Sequence, residues 1–247
     1  MIPAALRSTA FYLGYAVWSV FWSTLSVLVG WLLPLVPRYH FIIRGWSQPA
    51  LWWLRATCGI RVHVSGRQNI PDEPCIFLVK HQSTWETLWM QSLAAPQAPL
   101  IKRELLRIPL WGWAFGMLKP IAIDRSNPRT ALRQLIEQGR DRLARGMYVT
   151  LFPEGTRLAP GETGRFHRGG AALASATDVP VIVIAHNAGD RWPARRFLKF
   201  PGTIRVEISA PFRPDGKKSS EINMLCEDWL SHAMSELESG RGDRAPW

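Results

Sequence analysis

The stretch KHQSTWET follows a short apolar run, CIFLV, and places His81 five residues ahead of Glu86. A neutral imidazole near pH 7 can take a proton from a hydroxyl nucleophile, an effect worth ~10²–10⁴-fold in rate. It needs a partner that fixes its tautomer and steadies the imidazolium, and Glu86 is the candidate. The same residues allow a second reading. Ser83-x-x-Glu86 is a capping box, in which the glutamate turns back to satisfy backbone donors at a helix start. Taken alone, the spacing favours the cap.

A second group lies in LFPEGTR, where Pro153 and Gly155 predict a tight turn that leaves Glu154, Thr156 and Arg157 projecting. Arginine offers a rigid fork for phosphate, Thr156 a hydroxyl, and the backbone N–H groups around Gly155 a concavity suited to an anion. Glu154 would need a cationic or hydroxyl partner. The alternative is an ordinary type I turn with polar decoration. Lys102 and Arg103 in PLIKREL and Arg125 in IAIDR add positive charge at predicted strand ends. Each alone suits a solvated surface position, as does the cluster RFHRGG.

The elements that must position these groups are legible from residue 59 onward. IRVHV, CIFLV, PLIKR, IAIDR, YVTLF, VPVIVIA and TIRVEIS are short runs rich in β-branched residues and bounded by Pro, Gly or Asn. Between them PRTALRQLIEQGRDRLARG predicts an amphipathic crossover helix, with Asn127 as cap, Pro128 in its first turn and Gly146 at its end. A last helix begins near Ser220, with Ile222, Leu225, Trp229, Ala233 and Leu237 as its apolar stripe, and the tail SGRGDRAPW is expected to fray. Strand–helix alternation predicts an α/β fold with a largely parallel or mixed sheet flanked by helices, its strand ends delivering side chains to one ligand-binding edge. The expected division is an N-terminal membrane-associated helical segment, 1–58, and an α/β domain, 59–247.

No charged residue occurs between Arg7 and Arg38, and the apolar character of that stretch runs all round instead of forming one stripe. It is long enough for one tilted membrane span or a helix–turn–helix dipping into one leaflet, and too long for a cleaved signal peptide. From Met1 to Pro71 there is no Asp or Glu, while Arg38, Arg44, Arg55, Arg61 and Arg67 follow the apolar stretch. If the stretch spans, the positive-inside rule puts the bulk of the chain in the cytoplasm. Ten of the 13 Trp fall between Trp18 and Trp113, which suggests rings at headgroup depth, with residues 41–60 as an interfacial helix. The formal charge of +11 calls for an anionic partner, and the anchor favours lipid over nucleic acid. A hydrophobic share of 47% excludes disorder. Cys58, Cys75 and Cys226 are scattered, so neither a disulfide framework nor a metal site is indicated.

In order along the chain, KHQSTWET, IKRELLRIPLWGWAFGMLKPIAIDR, LFPEGTR and VPVIVIAHNAG resemble the four motif blocks of the membrane glycerolipid acyltransferases, in particular the 1-acylglycerol-3-phosphate acyltransferases. The resemblance runs from about residue 60 to 190. It implies that His81 is the base and Glu86 the acid that orients it, although the family usually carries Asp there, and the extra methylene changes its reach. It places phosphate binding on Lys102, Arg125, Glu154, Gly155, Thr156 and Arg157. The fourth block is associated with substrate binding, while its residues here read as a buried strand. The implied reaction acylates lysophosphatidic acid from acyl-CoA or acyl carrier protein as co-substrate. No bound cofactor is implied, and the implied setting is a membrane bilayer, with a bacterial inner membrane as the expected location. Siblings acting on glycerol 3-phosphate, another lysophospholipid or an aminolipid share the pattern. A non-catalytic membrane scaffold is the alternative of another class.

Overall fold

The computed structural model describes residues 3–124 and 126–239. Arg125 and residues 240–247, which include nearly all of the expected fraying tail, lie outside them.

All seven apolar runs form strands: β1 (Ile60–Ser65), β2 (Ile76–Val79), β3 (Gln97–Lys102), β4 (Ile121–Ile123), β5 (Tyr148–Leu151), β6 (Val181–His186) and β7 (Gly202–Ile208). They make one sheet in the order β1-β7-β6-β2-β5-β3-β4. Every pair is parallel except β6 with β7, so the sheet is mixed. The carboxyl ends of β2, β3, β4, β5 and β6 therefore open on one edge, and the chemistry-bearing residues follow those ends.

Both faces of the centre are covered, as its near-continuous apolar strands require. Ile76 and Leu78 of β2 join a core with α6 (Pro128–Ala144), α7 (Gly169–Thr177) and α8 (Ser219–Ser239). Phe77 and Val79 point the other way, into a core with Leu54 of α3 (Gly45–Cys58) and Trp85 and Leu88 of α4 (Trp85–Trp89). Helix α6 starts as its sequence predicts: the Thr130 N–H donates to Asn127 Oδ1 at 3.1 Å, and Pro128 opens the first turn. In α8 the buried stripe has a different phase from the predicted one. Ile222, Cys226, Leu230, Ala233 and Leu237 face the core, whereas Leu225 is 40% exposed. Starting from Ile222, a step of four reaches Cys226, and the three-residue step to Leu225 lands on the solvent side.

The amino-terminal segment is a helical hairpin. Helix α1 (Ala4–Val29) turns at Gly30–Leu32, and the chain returns through α2 (Leu35–Tyr39), a π-helical turn at His40–Arg44 and α3. The crossing is close. A side chain on Gly14 would overlap the Trp53 ring, and one on Gly45 would overlap the Trp22 ring. These indoles are helix–helix ties instead of a headgroup belt. The ring N–H of Trp53 donates to the Ala10 carbonyl at 3.1 Å, that of Trp22 to Phe41 at 3.0 Å, and that of Trp18 to Trp46 at 3.1 Å. Trp31 and Trp52 do face outward, each 65% exposed, together with Leu13, Val17, Val20, Phe21, Leu28 and Leu32. Ala4–Leu32 is the one stretch among the described residues long and apolar enough to cross a membrane.

Candidate active site

His81 stands just beyond β2, and Glu86 lies in the first turn of α4, so five residues of chain make a tight bend that returns the carboxylate to the ring. His81 Nδ1 and Glu86 Oε1 are 2.8 Å apart. The same oxygen accepts from the backbone N–H of Ser83 at 2.7 Å and of Gln82 at 3.0 Å, while Ser83 Oγ accepts from the Trp85 N–H at 3.1 Å. The cap and the imidazole partnership are thus one arrangement, in which a single carboxylate oxygen serves both. Burial alone would raise the Glu86 carboxyl. The His81 hydrogen bond, the neighbouring His186 and His81 rings and the Ser83 N–H outweigh it and hold the group below the usual carboxylate range. An ionised Glu86 accepting from Nδ1–H leaves the lone pair of His81 on Nε2. Nε2 has no partner among the described residues, and the ring, stacked on Phe152 with centroids 4.1 Å apart, borders an open pocket.

Beneath this pair lie contacts that the sequence reading missed. Lys80 and Glu154 form a buried ion pair across 74 residues of chain, with side chains 5% and 4% exposed. Glu154 Oε2 also accepts from the His81 N–H at 2.9 Å. Glu154 therefore does not project from its turn, as the sequence predicted; it needed a cationic partner, and Lys80 supplies one from the end of β2. His186, fully buried at the end of β6, donates from Nε2 to the Lys80 carbonyl at 2.8 Å and accepts the Ala188 N–H on Nδ1 at 3.2 Å. Burial pushes the His186 ring below its ordinary pKa against the opposing pull of Glu86 and the Lys80 carbonyl, so it is neutral near pH 7. Its Nε2 stands 4.0 Å from Glu86 Oε2, an oxygen with no hydrogen-bond partner.

The pocket in front of His81 has a volume of about 290 Å³ and is walled by Lys102, Gly155, Thr156 and Arg157, which the sequence singled out, and by Arg195, which it did not. Gly155 has φ +69°, and its N–H closes the turn onto the Phe152 carbonyl at 3.0 Å; a residue with a Cβ would be strained there. Thr156 and Arg157 are exposed, and Arg157 Nε donates to the Ser83 carbonyl at 2.9 Å, tying the turn to the His81 loop. Arg125 lies outside the described residues. A second, apolar cavity of about 550 Å³ shares Thr87, Leu100, Ile101, Leu105, Phe152 and Arg157 with the first. Its far wall includes Tyr15 and Val20 of α1 and Trp46 of α3, so the apolar cavity extends from the amino-terminal hairpin to the wall it shares with the basic pocket. The arrangement brings together an imidazole oriented by a carboxylate, a cluster of cations and an apolar cavity.

Residues 61–187 match the family model described as Acyltransferase. The chain is 45% identical over 236 residues to the 1-acyl-sn-glycerol-3-phosphate acyltransferase of Pseudomonas aeruginosa, covering 94% of this chain and 92% of that protein. It is 30% identical to the human 1-acyl-sn-glycerol-3-phosphate acyltransferase alpha, over 71% of this chain and 63% of the relative. The crystal structure of the 1-acyl-sn-glycerophosphate acyltransferase from Thermotoga maritima superposes with a TM-score of 0.79 over 97% of each chain, at 26% identity.

Proposed function

The chain belongs to the acyltransferase family, and from that premise we propose that it moves a fatty acyl group from acyl-CoA or acyl carrier protein to the sn-2 hydroxyl of 1-acylglycerol 3-phosphate, giving phosphatidic acid. One observation carries the reading: Glu86 holds the Nδ1 side of His81 at 2.8 Å, and the opposite nitrogen is left for a substrate at a pocket walled by cations.

His81 Nε2 takes the proton of the acceptor hydroxyl as its oxygen attacks the thioester carbonyl. The C–O bond forms, the tetrahedral centre collapses, the C–S bond breaks, and the proton on Nε2 passes to the departing thiolate. Glu86 steadies the imidazolium between those two transfers and leaves no tautomer but the useful one. Lys102 and Arg157 hold the acceptor phosphate so that its hydroxyl lies against His81, a positioning effect. Arg125, at the end of the IAIDR block, is assigned the same task on the resemblance alone. Glu154 acts differently from the other turn residues: it fixes Lys80 and the His81 backbone and does not meet the phosphate.

The hairpin supplies the setting. Helix α1 is tied to the α/β domain near its start, where Ser8 Oγ accepts from the Lys199 N–H at 2.9 Å, and next to its end through Arg38, which donates to the Gly30 and Leu33 carbonyls and, at 3.2 Å, to the Met117 carbonyl. A helix held at both ends along one side of the domain suits insertion into a single leaflet better than a span. Its exposed apolar face would then rest among acyl chains while the apolar cavity takes a chain from the same layer. The inner bacterial membrane, with the domain on its cytoplasmic face, fits the arginines that follow the apolar stretch, since the anionic lipids of that leaflet attract basic segments.

The test is acyl transfer by the purified, detergent-solubilised protein, offered lysophosphatidic acid with each thioester donor, beside His81→Ala. The expected outcome is product from the wild type and a fall of ~10²–10⁴-fold in kcat for a folded variant. Equal rates from the two proteins would overturn the base assignment. A folded wild type inactive with both donors would move the reading to another acceptor.

A further inference from the structure

The segment from Arg191 to Pro201 leaves the sheet between β6 and β7 and does not lie free on the surface. Its two sides dock on α1. Trp192 packs edge-on against Phe11 at 5.2 Å, and Phe197 stacks on Tyr12 at 5.2 Å. Lys199, 1% exposed, accepts no solvent role: its N–H donates to Ser8 Oγ at 2.9 Å, and its Nζ donates to the Tyr12 hydroxyl and, at 2.8 Å, to the Phe197 carbonyl. Between these two fixed sides stands Arg195. Its backbone has φ +60°, a region that residues with a side chain rarely occupy and that persists where the surroundings dictate it. The side chain is exposed, has no hydrogen bond or ion pair among the described residues, and forms part of the wall of the His81 pocket opposite no acidic group.

We propose that Arg195, held out by a segment clamped to α1, is a third cationic ligand of the acceptor phosphate, beside Lys102 and Arg157, and that it sets the preference for a phosphomonoester over a phosphodiester headgroup. The inference rests on the acceptor reading given above. Near pH 7 a phosphomonoester carries about −1.5 to −2 charges and three terminal oxygens, enough for three separate cationic partners. A lysolipid phosphodiester carries about one charge on two free oxygens, and its second ester would crowd a pocket of about 290 Å³. A planar guanidinium fork is suited to the extra pair of oxygens in a way that an ammonium is not. The position is invisible in the motif blocks because it is delivered by contacts with α1, 191 residues away by the Ser8–Lys199 bond.

The experiment compares the wild type, Arg195→Gln and Arg195→Lys in mixed micelles. It measures KM and kcat for lysophosphatidic acid, and the KM or competitive inhibition constant of lysophosphatidylglycerol. For Arg195→Gln the KM for lysophosphatidic acid should rise about five- to tenfold, the loss expected for one exposed charge-assisted contact, with kcat within about twofold. The constant for lysophosphatidylglycerol should move less than about twofold, and Arg195→Lys should recover part of the selectivity. Unchanged constants for both lipids, or an equal rise for both, would overturn the proposal. A wild type that does not acylate lysophosphatidic acid would overturn the acceptor reading itself, and this proposal with it; normal wild-type turnover with an unaltered Arg195→Gln would sink the proposal alone.

Discussion

The His81 centre and the basic wall in front of it share a pocket but are built by opposite means. Around His81 the side chains are held by inward contacts: Glu86 Oε1 receives three donors, Lys80 and Glu154 neutralise one another in the interior, and His186 is locked by hydrogen bonds on both ring nitrogens. The wall is made of exposed side chains on separate segments, and Lys102, Thr156 and Arg195 have no side-chain partner among the described residues. Proton transfer fails if the base drifts by a fraction of an ångström, whereas a headgroup phosphate is met well enough by cations that can follow it. On the proposed mechanism, rigidity is concentrated where a bond changes, and freedom is left where a flexible lipid enters.

That contrast is open to attack from both sides. The largest effect is expected from Lys80→Met, which strands the Glu154 carboxylate in the interior and should cost about 3–5 kcal/mol in unfolding experiments in detergent. An unfolding midpoint like that of the wild type would mean the buried pair is not what stiffens the floor of the site. Glu86→Gln comes next, with kcat lower by about 10²-fold and KM little changed, since an amide keeps the cap but does not stabilise an imidazolium. The same variant carries a pH signature. The carboxyl is held low in the fold and returns to about 4.3 on unfolding, so its contribution to stability is present above that value and is lost as pH falls through the lowered folded pKa. Acid unfolding of Glu86→Gln should therefore be less steep than that of the wild type; superimposable curves would deny the carboxylate its charge. Smallest is Arg157→Ala on the wall, where KM for the phosphorylated acceptor should rise about tenfold at nearly constant kcat. A drop in kcat without a change in KM would place that guanidinium with the rigid centre instead of the yielding wall.

What could be read from the sequence follows the same division between near and far. The strands were marked by β-branched runs, and the α6 start by Asn127 and Pro128, because those signals act over a few residues. His81 and Glu86 were visible as a pair for that reason, and their spacing was ambiguous because one carboxylate performs both tasks. Glu154 was misread as projecting since its partner, Lys80, lies 74 residues earlier and nothing local announces it. His186 follows directly on VPVIVIA, which reads as an ordinary buried strand, and nothing local marks the ring. Arg195 has no motif around it, being placed by aromatic contacts with a helix at the other end of the chain. The indoles of α1 and α3 were assigned to a headgroup layer on composition, which cannot tell a ring facing lipid from one whose N–H reaches across to a neighbouring helix.

The reciprocal interlock of Gly14 with Trp53 and Gly45 with Trp22 has a mechanical meaning. Two helices locked so closely form a stiff wedge. Seated in one leaflet, such a wedge must push that leaflet's lipids aside while leaving the opposite one untouched, so its insertion is opposed by lateral pressure and eased by packing defects and positive curvature. On the single-leaflet reading proposed above, the occupancy of the membrane by this protein, and with it the supply of lysolipid to His81, would be coupled to the mechanical state of the very surface its product enlarges.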